Sequence, residues 1–228
     1  MRISLEKSFV PTTKSLFAVK SMKDLFYGIC AGMLIGIGGA VFLASENRVI
    51  GAILFSVALI CICAKGYSLY TGKVGYLAFS HRAIDFKNLT FCFLGNLIGT
   101  FAAGNAIRFS QNALYEKAAA LCEAKLAQSV PSALIRAVFC GILMYLAVSV
   151  YREKSTFIGI LFCVPVFILA GFEHSIADLF YFFAAGRYAL TAGGYLLLIV
   201  LGNSVGGLLL PILSLLAEPH KLTQGEAK

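Results

Sequence analysis

The chain is predicted to be an all-α membrane protein: six transmembrane helices in two inverted three-helix repeats, the second and fifth helices broken. Three observations predict this. The composition is 59% hydrophobic with a mean hydropathy of +0.85, more apolar surface than a soluble domain of 228 residues can bury. Six apolar stretches approach or exceed the length a bilayer requires. Two short motifs also recur. Leu94-Gly95-Asn96 with Gly99 returns 107 residues later as Leu201-Gly202-Asn203 with Gly206, and Gly66-Tyr67-Ser68-Leu69 is matched 105 residues later by Gly171-Phe172-Glu173-His174.

The first segment spans residues 27–44, where Gly32, Gly36, Gly38, Gly39 and Ala40 suit close helix approach. The second starts near residue 49 and is interrupted over 64–75. The third covers 89–107. A more polar stretch, 108–131, carries Glu116, Lys117, Glu123 and Lys125 and predicts a short amphipathic surface helix. The fourth segment spans 133–151, the fifth 157–185 with an interruption near Gly171, and the sixth 188–216. Segments two and five correspond, as do three and six. An odd number of spans per half requires the halves to cross the membrane in opposite senses.

Residues 1–24 read as a cytoplasmic N-terminal segment, 25–217 as the transmembrane domain and 218–228 as a cytoplasmic tail. No cleavable signal peptide is expected, because the first 24 residues carry five cations and no continuous apolar core. Eleven Lys and Arg residues fall on the side of the termini against six on the other, which orients a multi-pass inner-membrane protein with both ends in the cytoplasm. The net charge of +8 resides in the tail and loops, as topology signals do, so nucleic-acid binding is rejected. Most of the seven cysteines sit in apolar segments and read as small packing residues, with no disulfide, metal or cofactor expected. Cys61 and Cys63 point to different sides of a helix.

The stretch Gly171-Phe172-Glu173-His174-Ser175-Ile176-Ala177-Asp178 places ionisable groups in the middle of the fifth run. Each costs about 2.5–3.5 kcal/mol at the centre of a span on insertion scales, which points to a substrate or ion pathway. Interrupted helices at equivalent places in inverted halves point the same way. Freed backbone groups are tolerated only where protein or a water-lined cavity satisfies them.

Gly171-Phe172-Glu173-His174-Ser175-Ile176-Ala177 resembles the fifth-helix motif of the formate/nitrite transporter family. Leu69-Tyr70-Thr71-Gly72 resembles its second-helix loop, and Glu123-Ala124-Lys125, ahead of Arg136, the stretch leading into its fourth helix. Leu201-Gly202-Asn203 with Gly206-Gly207 resembles its sixth-helix pattern, and the resemblance spans residues 25–216. It implies a homopentamer with one pore per aquaporin-like protomer. It also implies passage of small monovalent anions such as formate, nitrite, hydrosulfide or lactate, past two apolar constrictions flanking a central histidine. By position, His174 is that histidine and Thr71 its loop partner. Lys125 becomes the vestibule lysine, Phe55, Leu59 and Phe167 one constriction, and Leu69, Tyr70 and Met144 the other. Four positions depart from the family pattern. Gly141 follows Cys140 where an asparagine is usual, Ser68 replaces the loop glutamate, Asp178 replaces an asparagine, and Lys65 adds a cation before the loop.

Glu173 is expected to face the second broken loop and accept backbone N–H bonds, with Asn96 and Asn203 also supporting the breaks. His174 has two readings: a proton donor, or a neutral side chain that joins two half-helices through Thr71. Lys125 either draws anions in or is a solvated loop lysine. Lys65 either snorkels or lines a vestibule. Asp178 shares a helix face with His174, where it raises the histidine's proton affinity or makes a local polar contact. The expected function is a proton-linked channel for small monovalent anions of weak acids, its partners being the anion, protons, lipid and further copies of the chain. A neutral-solute channel of similar outline would be expected to carry Asn-Pro-Ala loops, which are absent. An enzyme would need more than Glu173 and His174, since His81 and His220 lie in polar flanks and no metal-ligand constellation appears.

Overall fold

The computed structural model describes residues 13–80 and 82–218, with side chains from residue 21 onward. His81, His220, the first twelve residues and the tail from 219 lie outside the described residues. Within them every regular element is helical, in the order α1 (Thr13–Ala44), α2 (Arg48–Lys65), α3 (Tyr70–Lys73), a 3-10 turn (Val74–Phe79), α4 (Ala83–Ser110), α5 (Asn112–Leu126), α6 (Val130–Lys154), α7 (Ile158–Leu169), α8 (Ser175–Ala184) and α9 (Leu190–Ala217). Five stretches are long and apolar enough to cross a membrane: Ser21–Ala44, Arg48–Lys65, Ala83–Ser110, Val130–Lys154 and Leu190–Ala217. Large apolar side chains such as Phe26, Ile37, Leu197 and Leu201 point outward, as a lipid solvent or a partner surface allows.

Hydropathy marks only the apolar core of a helix, so α1 and α4 start earlier than the apolar pattern does. The small residues carry out the close approach expected of them. A Cβ on Gly28 or Gly32 of α1 would strike the backbone of α4, and one on Gly141 or Gly206 would strike the α6–α9 contact. These approaches join α1 to α4 and α6 to α9, the two most extensive helix pairings.

The polar stretch forms the short amphipathic helix expected of it. α5 buries Leu114, Ala118, Cys122 and Lys125, a four-four-three spacing that makes one face, and that face packs on α8. Its outer face, with Glu116, Lys117 and Glu123, is exposed.

α2 and α7 end in the same way. Gly66 (φ +66°) and Gly171 (φ +72°) take the left-handed conformation, and the next residues, Tyr67 and Phe172, donate back to Ile62 and Phe167, both at 2.9 Å. Short extended links follow, and α3 and α8 begin at Tyr70 and Ser175.

Candidate functional site

The two links carry a duplicated set of hydrogen bonds. Asn96 of α4 donates through Nδ2 to the carbonyls of Gly28 (2.9 Å) and Ser68 (2.8 Å), and its Oδ1 accepts from Tyr70 N (2.8 Å). Asn203 of α9 donates to the carbonyls of Ala137 and Glu173 and accepts from Ser175 N, all at 2.8 Å. Each asparagine thus satisfies a carbonyl and an N–H that the non-helical link leaves without a helical partner.

His174 occupies the N-cap of α8. Its Nδ1 accepts from Ala177 N at 3.0 Å, and its Nε2 lies 2.9 Å from Thr71 Oγ1 on α3. An acceptor at Nδ1 puts the ring proton on Nε2, which donates to the threonine and leaves the hydroxyl hydrogen free to turn elsewhere. The imidazole stacks on Phe167 with centroids 5.5 Å apart, and Phe167 meets Phe55 edge-on at 6.3 Å. Both His174 and Thr71 are buried.

Two cavities approach this pair along α2 and α6. The first, about 320 Å³, takes Arg48 and Phe55 from α2 and Arg136 from α6, together with Phe167, Lys125, Glu173, His174 and Asp178. The second, about 290 Å³, takes Leu59, Ile62 and Cys63 from the far end of α2 and Val148 and Arg152 from the far end of α6, with Leu69, Gly72 and Lys73. On α2 the linings pass from Phe55 to Leu59, about 6 Å of helix. The side chains at this divide, Phe55 and Phe167 of the first lining and Leu59 and Leu69 of the second, are apolar, and beside them His174 meets Thr71.

Charge is grouped on each side. Lys125 bonds to the Glu173 carboxylate and lies 2.8 Å from Asp178 Oδ1, while Gln128 donates to Glu173 at 2.6 Å. At the second cavity Lys73 reaches Asp24 (2.6 Å) and Ser68 (2.7 Å), and Ser68 donates to Asp24 at 2.8 Å. Among the described residues no group of three His, Cys, Asp or Glu side chains is arranged to hold a metal, and all seven cysteines are unpaired.

The formate/nitrite transporter family pattern matches residues 7–217 of this sequence. The chain belongs to the formate/nitrite transporter family. It is therefore a multi-pass membrane transporter and not an enzyme. The uncharacterized transporter YrhG of Bacillus subtilis (strain 168) is 31% identical over 182 residues, covering 72% of this chain and 68% of the relative. The nitrite transporter NirC of Escherichia coli (strain K12) is 26% identical over 207 residues, 82% of this chain and 77% of NirC. A pentameric formate channel with formate bound matches in fold, with a TM-score of 0.69 at 22% identity over 83% of this chain and 94% of that one.

In this transporter some side chains follow one of their sequence readings, as Lys65 and Asp178 do, and others, such as Glu173, take different partners. The Glu173 carboxylate takes Lys125 and Gln128 instead of backbone N–H groups; the amides of Asn96 and Asn203 serve the backbone. Tyr70 turns away from Leu69 to a cleft with Phe93, donating to or accepting from Ser204 at 2.8 Å. Met144 is buried in the same core cluster as Leu69 and lines neither central cavity. Lys65 is exposed at the end of α2 and lines neither cavity, whereas Lys73 lines the second. Asp178 holds Lys125. Gly141 also has a local reason: a Cβ there would fall on the Asn203 carbonyl, so α9 occupies the space an asparagine would need.

Arg48, Arg136 and Gln128 were not singled out from sequence. Arg48 counts only toward topology and Arg136 also marks the motif leading into the fourth helix; their place at the starts of the second and fourth segments is the available signal.

Proposed function

We propose that this transporter is a channel for small monovalent anions of weak acids, formate, nitrite or hydrosulfide, which cross its apolar layer as the neutral acid. One observation carries the reading: two cavities separated by about one helical turn of apolar side chains, with a single imidazole–hydroxyl pair at the divide. A bare anion entering that layer would lose its hydration without a compensating charge. Protonation in the first cavity removes most of that cost. With Nδ1 engaged by Ala177, His174 acts as a neutral hydrogen-bond partner through Nε2–H and the Thr71 hydroxyl, and water supplies the proton.

Six crossings complete the reading: α1; α2 with α3; α4; α6; α7 with α8; and α9. The duplicated glycine caps and asparagine bonds support two halves of opposite orientation. The channel domain is residues 25–217, flanked by cytoplasmic segments 1–24 and 218–228, in the inner membrane. NirC and the pentameric formate channel support nitrite or formate as permeant and a homopentamer as assembly.

The test is uptake of formate, nitrite, lactate and hydrosulfide into proteoliposomes, against protein-free vesicles, with and without an inward proton gradient. Uptake of at least one is expected to rise with the gradient. Transport of none of them refutes the channel.

A further inference from the structure

Lys125, the cation that the sequence points to, is already neutralised where it stands. Its ammonium is shared between Glu173 and Asp178, so the inner end of the first cavity holds two carboxylates and one ammonium. The other two cations of that cavity differ. Arg48 donates through Nη2 to the Ile168 carbonyl at 3.2 Å, and Arg136 through Nη1 to the Gly171 carbonyl at 3.5 Å. Both acceptors belong to the end of α7 and its glycine cap, so the two guanidiniums converge on one short length of backbone. Among the described residues neither has a carboxylate partner. Each keeps further N–H donors beyond the one given to a carbonyl.

We propose that Arg48 and Arg136 together form the anion-recruiting site of the first cavity, holding a small monovalent anion between their guanidiniums before it advances to His174. The proposal rests on the channel reading above. Its chemistry is that of an oxyanion on paired arginines, where planar donors match the carboxylate-like face of formate or nitrite. Deeper in, Lys125 is already held by Glu173 and Asp178 and the lining is buried, so an anion leaving the arginines meets no free cation and enters a region that favours its protonated form. The outer end attracts and the inner end neutralises. Capping the carbonyls of α7 is the competing role, and it needs only one hydrogen bond from each arginine.

The experiment is initial-rate formate uptake by reconstituted full-length protein carrying Arg48→Gln, Arg136→Gln, both, or Arg48→Lys with Arg136→Lys. Rates are measured at low and near-physiological salt, about 10 and 150 mM. The double glutamine variant is expected to raise KM about five- to tenfold with the maximal rate within about twofold, and to lose most of the salt dependence. The double lysine variant keeps both charges and is expected to recover most of the KM. An unchanged KM and salt dependence in the double glutamine variant overturns the proposal. Equal loss of maximal rate and thermal stability in the glutamine and lysine variants also overturns it, by assigning the arginines to capping alone. Absence of formate uptake by the unaltered protein, with nitrite and hydrosulfide equally inert, refutes the channel reading and this site with it.

Discussion

Asn203→Ala removes a fully buried amide that makes three hydrogen bonds of 2.8 Å. Side-chain hydrogen bonds between membrane helices contribute about 0.6 kcal/mol on average and up to about 1.7, so three give about 2 to 5 kcal/mol. The upper half of that range is expected. The Glu173 carbonyl and Ser175 N–H lie at the link between α7 and α8 and have no helical partner to fall back on. Asn96→Ala removes the matching set at Gly28, Ser68 and Tyr70 and is expected to cost the same within about 1 kcal/mol. Unfolding in mixed micelles, titrated with a denaturing detergent, measures both. Far-UV circular dichroism is the readout, since the chain has no tryptophan. A loss below about 0.5 kcal/mol in either variant would show that the amides do not hold the interruptions. So would a difference above about 2 kcal/mol between them.

His174→Asn retains an N-cap acceptor for Ala177 but loses the ring nitrogen that meets Thr71; near-normal folding and roughly tenfold slower uptake are expected, with the proton gradient still stimulating it. Full-rate uptake would remove the imidazole from the pathway, and loss of the stimulation alone would make it the proton donor. Lys125→Met strands two buried carboxylates and is expected to destabilise by about 3 to 5 kcal/mol, partly restored by adding Asp178→Asn; equal unfolding midpoints for Lys125→Met and wild type would contradict this. Gly141→Ala and Gly141→Asn are expected to cost at least about 1 to 3 kcal/mol through collision with Asn203. Gly193→Ala meets no atom within 4 Å and is expected to be neutral or stabilising by up to about 1 kcal/mol, so parity between the two sites in a thermal melt would contradict the packing account.

The helices, their order and the glycine-capped ends of α2 and α7 were legible because hydropathy and glycine placement are local properties of the chain. The pairing of His174 with Thr71 was legible through motif resemblance, since the two residues lie 103 apart. Partner choice among long side chains was not. Glu173 has the reach to meet backbone or lysine, and only the burial of α5 brings Lys125 to it. That Lys125 falls on the buried face was hidden because α5 sets Glu116, Lys117 and Glu123 outside against Leu114, Ala118 and Cys122 inside, giving little apolar contrast. The ring direction of Tyr70 follows from the cleft between α4 and α9, a property of packing with no trace in the local sequence.

The closeness of the two cavities has an electrical consequence. In the proposed channel, water in the two cavities would carry each bulk potential inward, so most of the transmembrane voltage would fall across the thin layer around Phe55, Leu59, Phe167 and His174. A charged species crossing it would gain or lose about 2.3 kcal/mol per 100 mV, whereas a neutral acid would feel nothing. Flux of the neutral acid through the proposed pathway would answer to concentration and pH on the two sides, and clamping the voltage would leave it unchanged.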